Sequence, residues 1–203
     1  MENRNQRKKK GTLKIQIHIA GTKRSGKTTL ARKIWAELER QNHHAVIFDI
    51  DDVRRTLFGE ADKIALIGSP ENQRMHREAH EWIFTIGIPN ALQDGKISIM
   101  VATHSHRALY ERAVEISENH STILKFIMLQ TPLLEDTVRR AKTDDLSLSD
   151  TVDLENNPAA MEAYLTSTKR FEESYANRDG NYIWIPQGTP KGMTEIAMRY
   201  ILG

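Results

Sequence analysis

Short runs of apolar residues alternate with longer segments of helical periodicity along the 203-residue chain. Each run spans four to eight residues, and polar or turn-forming residues bound it, as is typical of buried strands. Several runs are also rich in β-branched residues, which favour strands. This pattern predicts five strands, at residues 13–20, 45–50, 97–102, 122–129 and 182–185.

Helical spacing marks the segments between these runs. In the first segment, Leu30, Ile34 and Leu38 recur every four residues and should form one buried stripe. Three tryptophans lie in predicted elements and are expected in the core, namely Trp35, Trp82 and Trp184. Helices are predicted at residues 26–41, 71–93, 107–119, 132–142, 159–178 and 190–202.

Strands that alternate with helices indicate an α/β domain, with a mainly parallel sheet and helices on both of its faces. We expect residues 11–203 to form this single domain. Residues 59–70 are irregular, and residues 143–158 form a long acidic loop. Because long loops in compact domains are often mobile covers or binding segments, we place a lid near residues 139–158.

The charge is unevenly distributed, since residues 1–10 carry five basic side chains and one acidic one, while the rest is slightly acidic. We expect residues 1–10 to be a disordered, solvated arm, with nucleic-acid contact as the less favoured alternative. The absence of cysteine excludes disulfides and fits a cytoplasmic location. No apolar run reaches the roughly 18–20 residues of a membrane-spanning helix, so no membrane partner is expected.

The segment from Gly21 to Thr28 fits the pattern G-x-x-x-x-G-K-[ST] of a phosphate-binding loop, with a predicted strand before it and a predicted helix after it. Backbone N–H groups of residues 22–27 and the helix dipole would attract phosphate there. Lys27 would reach the outer phosphates, and the Thr28 hydroxyl would ligate Mg²⁺. The predicted ligands of a nucleoside triphosphate are Gly21, Thr22, Lys23, Arg24, Ser25, Gly26, Lys27, Thr28 and Thr29.

Acidic and basic residues follow the second predicted strand, where the carboxyl ends of parallel strands line a ligand crevice. Asp49 and Asp51 should therefore emerge beside the phosphate loop, and both are candidate metal ligands. Asp51 and Arg54 are three residues apart at a predicted helix start and can face one site. The carboxylate there can accept a hydroxyl proton or help hold Mg²⁺, and the arginine can hold a substrate anion. We expect Asp52 to cap the helix.

The phosphate loop followed by Asp51-x-x-Arg54 resembles the small P-loop kinases of the adenylylsulfate kinase, polynucleotide kinase and zeta-toxin group. The resemblance covers about residues 13–202 and implies a sheet order of 2-3-1-4-5, with ATP and Mg²⁺ as cofactors. It implies that Asp51 is the base toward the acceptor hydroxyl, and that Arg54 binds the acceptor. Further substrate contacts are expected from Arg55, and from His104 and Arg107 in the segment after strand three.

Two later segments are similar to nucleotide-binding parts of these kinases. The stretch from Thr137 to Lys142 resembles the start of their lid, which implies that Arg139 or Arg140 grips the ATP phosphates. Both arginines are therefore candidate catalytic residues, together with Lys27. The stretch that begins with Gln187 and Gly188 resembles the loop that borders the adenine.

The chain also departs from this group in two places. Val101 stands where many relatives carry an acidic residue, and Ala102-Thr103-His104-Ser105 replaces the Phe-Ile-Ser-Pro of true adenylylsulfate kinases. We therefore expect an ATP- and Mg-dependent kinase that phosphorylates a hydroxyl of a small, nucleotide-like molecule. The alternatives are a polynucleotide 5′-hydroxyl kinase and an ATP-binding regulatory protein with weak hydrolysis.

Overall fold

The computed structural model of the protein describes residues 14–59, 61–62, 69–103, 107–143, 158–175 and 182–203. A five-stranded sheet lies at its centre, with all neighbouring strands parallel and the order β2-β3-β1-β4-β5. This confirms the predicted order and all five predicted strands. The strands are β1 (Ile15–Ala20), β2 (Ala45–Asp49), β3 (Ile97–Ala102), β4 (Ile123–Leu129) and β5 (Tyr182–Ile185).

Helices occupy most of the connections between the strands. Ser69 and Thr189 cap two of them, because each side chain accepts a hydrogen bond from a backbone N–H three residues on, and a proline follows each cap. The helices are α1 (Lys27–Arg40), α2 (Ile50–Phe58), α3 (Pro70–Trp82), α4 (Ile88–Gln93), α5 (Arg107–Asn119), α6 (Leu134–Thr143), α7 (Pro158–Ser174) and α8 (Pro190–Leu202).

A π-helical turn, Ile83–Gly87, separates α3 from α4 where the sequence predicts one continuous helix. Pro89 explains the interruption, because proline has no N–H to donate and its ring clashes with the carbonyl of the preceding turn. The N–H of Ile88 instead reaches the carbonyl of Ile83 across a wider turn.

The sheet is buried on both faces. On one face the odd-numbered residues of β1 pack against the predicted α1 stripe of Leu30, Ile34 and Leu38. Trp35 comes directly after Ile34 on α1. It is 41% exposed, and its indole N–H donates to the carbonyl of Ala45. The prediction of a core position is therefore wrong for Trp35, because one residue along a helix is a rotation of about 100° away from the buried face.

The other face is lined by an aromatic cluster and two buried polar residues of β1. His18 lies between the rings of Phe84 and Phe126, with centroids 6.0 and 5.4 Å away. Burial lowers the pKa of His18 to about 3, so the ring is neutral and its Nε2 accepts from the Gln16 amide at 2.6 Å. The rigid β1 strand ends directly before the phosphate loop. Among the described helices, none combines the length and apolarity needed to span a bilayer.

Candidate active site

The phosphate loop turns tightly between β1 and α1. A Cβ atom on Gly21 would lie 2.6 Å from Ser25 Oγ and 3.1 Å from Leu129 Cβ, so a larger residue would force both neighbours to shift. Gly26 has a φ of 92°, a left-handed conformation that glycine adopts without strain. Its carbonyl accepts the first hydrogen bond of α1, from Leu30 N at 2.9 Å. The helix dipole of α1 therefore points its positive end into the loop.

Lys27 folds back over this loop. Its Nζ donates to the carbonyl of Thr22 at 2.7 Å. Burial lowers the pKa of Lys27 to about 8, although the charges of Asp51 and Asp49 oppose the shift. Within the described part of the chain, the buried hydroxyls of Thr22 and Ser25 have no hydrogen-bond partner. A protonated lysine and two uncommitted hydroxyls fit a phosphate group that lies in the loop.

Thr28 at the start of α1 joins the loop to β2. Its hydroxyl donates to Asp49 Oδ2 at 2.8 Å, and Asp49 Oδ1 accepts from the backbone N–H of Asp51 at 3.1 Å. Asp49 is therefore the cap of α2, and the expectation that Asp52 caps it is wrong. Asp49 also lies beside Val101 in the register of β2 and β3. A carboxylate from β2 thus approaches the loop next to Val101 of β3.

The oxygens of Thr28 and Asp49 are hard ligands of the kind that Mg²⁺ prefers. The described residues contain no group of three or more His, Asp or Glu side chains that could hold a metal ion. A magnesium ion here would therefore depend on these two side chains together with oxygens of a bound triphosphate and water, as is usual for Mg²⁺ at nucleotide sites.

Asp51 lies in the first turn of α2, with a side chain that is 44% exposed. Its charge acts on Lys27, whose pKa it raises against the effect of burial. Arg54 Nη1 is 3.8 Å from Asp51 Oδ1, so the two predicted site residues do face each other. Asp51 is therefore an exposed carboxylate that interacts with both Lys27 of the phosphate loop and Arg54 of α2.

Arg54 is buried, in contrast to a typical free anion-binding arginine. Its Nε and Nη2 donate to Asp62 Oδ1 at 2.7 and 2.5 Å, and its Nη1 contacts Nε2 of His76 on α3. Asp62 is itself only 5% exposed. Sequence reasoning missed both partners of Arg54. Residues 59–70, which contain Asp62, show no periodicity, and the helical pattern around His76 does not determine which neighbouring element it contacts. Arg55, the other predicted substrate arginine, forms an exposed ion pair with Asp52.

The two candidate lid arginines have different surroundings. Arg139 has a side chain that is 73% exposed and pairs with Asp136 one turn earlier on α6. Arg140 Nη1 instead donates to the carbonyl of Arg24 at 2.7 Å, and Arg24 Nη1 donates to the carbonyl of Arg140 at 3.1 Å. Arg140 is therefore the one that contacts the phosphate loop.

The structure also gives the surroundings of several other predicted site residues. Lys23 and Thr29 are exposed on the outside of the loop and helix, and Gly188 is exposed between β5 and α8. Arg107 at the start of α5 places its guanidinium 4.6 Å over the ring of Tyr110. The predicted roles of His104, of residues 144–157 in the lid and of the arm at 1–10 lie outside the described residues.

Solved structures of several P-loop kinases are similar to most of this chain. The Mycobacterium tuberculosis APS kinase CysC in complex with AMPPNP and APS has a TM-score of 0.58 and 15% identity, over 93% of this chain and 96% of that one. Kti12 from Chaetomium thermophilum in complex with ADP-AlF3 has a TM-score of 0.60 and 15% identity, over 93% and 100%. Shikimate kinase from Aquifex aeolicus has a TM-score of 0.57 and 12% identity, over 92% and 95%.

No family model matches the chain, and no curated protein is similar to it in sequence. The structural likeness, at these identities, shows the P-loop kinase fold. The fold is consistent with nucleotide binding at the loop. It does not identify which molecule would accept a phosphoryl group.

Proposed function

We propose that the protein is a kinase that transfers the γ-phosphoryl group of ATP to a hydroxyl of a small, nucleotide-like molecule. The observation that carries the proposal is the group formed by Lys27, Thr28, Asp49 and Asp51. A phosphate-binding lysine, a metal-binding hydroxyl and two carboxylates converge at the carboxyl edge of the sheet. Phosphoryl transfer needs these parts, because the protein contributes mainly positioning and electrostatic stabilisation to it.

The triphosphate lies in the phosphate loop, held by the backbone N–H groups of residues 22–27 and by Lys27. Its negative charge displaces Lys27 Nζ from the Thr22 carbonyl, since a phosphate oxygen is the stronger acceptor. Thr28 and Asp49 would hold Mg²⁺, with Asp51 as a further candidate through water. When bound, the metal would neutralise charge on the phosphate oxygens.

Asp51 accepts the proton of the acceptor hydroxyl as that oxygen attacks the γ-phosphorus. The bond between the γ-phosphorus and the bridging oxygen breaks, and ADP leaves with the electron pair. This step requires an ionised Asp51. The Arg54 guanidinium lies 3.8 Å from its carboxylate, and Lys27 interacts with its charge. Arg54 orients the Asp51 carboxylate toward the acceptor hydroxyl. Asp62 and His76 in turn hold the Arg54 guanidinium in place.

Arg140 is the proposed lid arginine, because it already contacts the phosphate loop through Arg24. From there its charge stabilises the transferred phosphoryl group. Arg139 has a side chain that is 73% exposed and pairs with Asp136, so the mechanism assigns it no role. A lid that closes over the site would also exclude water and suppress hydrolysis of ATP.

The acceptor is identified by incubating the protein with Mg-ATP labelled on the γ-phosphate and with separate acceptors. The panel comprises adenylylsulfate, nucleosides, sugars, hydroxylated antibiotics and 5′-hydroxyl oligonucleotides. Label transferred to one small acceptor supports the proposal. Label transferred only to oligonucleotides, with a dependence on residues 1–10, would support a polynucleotide kinase instead. Bound ATP without any transfer would favour a regulatory ATP-binding protein.

A further inference from the structure

The side chain of Gln187 connects three parts of the nucleotide site. Its Nε2 donates to the carbonyl of Gln130, directly after β4, at 2.5 Å and to the carbonyl of Ser25 in the phosphate loop at 3.3 Å. Its Oε1 accepts from both Nη1 and Nη2 of Arg140, each at 3.2 Å. Both ends of the amide are therefore used within the protein.

The two ends of this amide have opposite requirements. Two carbonyl oxygens need a donor, and the guanidinium of Arg140 needs an acceptor. An amide meets both needs without a net charge, whereas a carboxylate would repel the carbonyls and neutralise Arg140. A lysine or arginine would repel the guanidinium. Glutamine thus holds Arg140 against the loop without neutralising the arginine's positive charge.

The hydrogen bonds of Arg140 reinforce this arrangement. The backbone carbonyls of Arg24 and Arg140 each accept from the other residue's guanidinium, so α6 and the phosphate loop are joined in both directions. Gln187 adds a third attachment from the loop between β5 and α8. Because a long arginine side chain loses considerable rotamer freedom when it is fixed, an arginine held in advance binds phosphate at a lower entropic cost.

We propose that Gln187 is a positioning residue, which orients Arg140 across the phosphate loop and thereby strengthens nucleotide binding. This assigns a role to the Gln187 side chain that is separate from any contact between its loop and the adenine. The inference rests on the proposed function, because it requires that the loop binds a nucleotide.

A double-mutant cycle tests the inference in the full chain. The dissociation constant of Mg-ATP is measured for the native protein, for Gln187→Met, for Arg140→Met and for the double variant. We expect each single substitution to weaken binding on the order of tenfold, as is typical for loss of hydrogen bonds to a charged group. The double variant should bind about as weakly as Arg140→Met, because Gln187 acts through Arg140.

Two further variants separate positioning from a general loss of structure. Gln93→Met changes an exposed glutamine at the C-terminal end of α4, just before β3 begins. This control variant should bind Mg-ATP like the native protein. Gln187→Glu keeps the size of the side chain but places a carboxylate beside the Ser25 carbonyl. We expect it to bind Mg-ATP more weakly than Gln187→Met does. The melting temperatures of all variants are measured in parallel.

Losses that multiply in the double variant would overturn the inference, because Gln187 would then act independently of Arg140. Native-like binding by Gln187→Met, or a loss of binding that follows the melting temperature alone, would overturn it as well. A native protein that does not bind Mg-ATP would overturn the proposed function itself, and the inference with it.

Discussion

Replacing Arg54 with methionine should destabilise the protein far more than a surface substitution would. Arg54 is 8% exposed and Asp62 is 5% exposed, and two hydrogen bonds of 2.7 and 2.5 Å join them. Arg54→Met would leave a buried carboxylate without its partner, which typically costs about 3–5 kcal/mol. For a chain of this size, that corresponds to a decrease of roughly 6–20 °C in melting temperature.

Thermal and urea unfolding measure this cost, and the chain offers a matched control. Arg74 on α3 also pairs with two acids, Glu71 and Glu78, but its side chain is 45% exposed. Arg74→Met should therefore lower the stability far less than Arg54→Met does, because an exposed ion pair contributes little.

The second test is Arg54→Met combined with Asp62→Leu, which removes both charges of the pair. Most of the lost stability should return in this double variant, because no buried charge is left unpaired. The reasoning is refuted if Arg54→Met is as stable as Arg74→Met. Arg54 would then be free to bind an anionic acceptor directly, as the family resemblance implies.

Three further predictions concern the phosphate loop and the neighbouring carboxylate of Asp49. Because the pKa of Lys27 is about 8, its charged fraction falls between pH 7 and 9, and the dissociation constant of ATP should rise by about tenfold. A dissociation constant that is constant over this range, in titrations with a fluorescent ATP analogue, would contradict the assignment. Gly21→Ala should weaken ATP binding without loss of circular-dichroism signal, because the new Cβ would lie 2.6 Å from Ser25 Oγ and would force the phosphate loop to shift; native affinity would contradict this reasoning. Asp49→Asn should raise the Mg²⁺ concentration needed for half-maximal transfer by about an order of magnitude, and an unchanged Mg²⁺ dependence would remove Asp49 from the metal site.

The strands and the phosphate loop could be predicted because their signals are local. Each strand is a short apolar run, and β3 and β5 begin and end at the predicted residues. The order 2-3-1-4-5 came from the family resemblance, since periodicity alone does not determine which strands are neighbours. The position of Asp49 and Asp51 at the carboxyl edge followed from the rule that parallel strands end at one edge.

The partners of the site residues could not be predicted from the sequence. Whether Arg139 or Arg140 faces the loop depends on the rotation of α6, because neighbouring residues on a helix differ by about 100°. The pairing of Arg54 with Asp62 and His76 joins residues 8 and 22 positions apart, and no local pattern specifies these contacts. The hydrogen bonds of Gln187 join residues 47, 57 and 162 positions apart, and no local pattern specifies such contacts.

The most direct test of the account separates ATP binding from phosphoryl transfer in Asp51→Asn, with Asp52→Asn as a control one residue away on α2. With the acceptor that the labelled-ATP panel identifies, Asp51→Asn should bind Mg-ATP within about twofold of the native protein and lose transfer by 10²-fold or more, on the order of a general base's contribution. Asp52→Asn should retain both, because the Asp52 side chain is exposed and forms its ion pair with Arg55. Native transfer by Asp51→Asn would contradict the proposed mechanism.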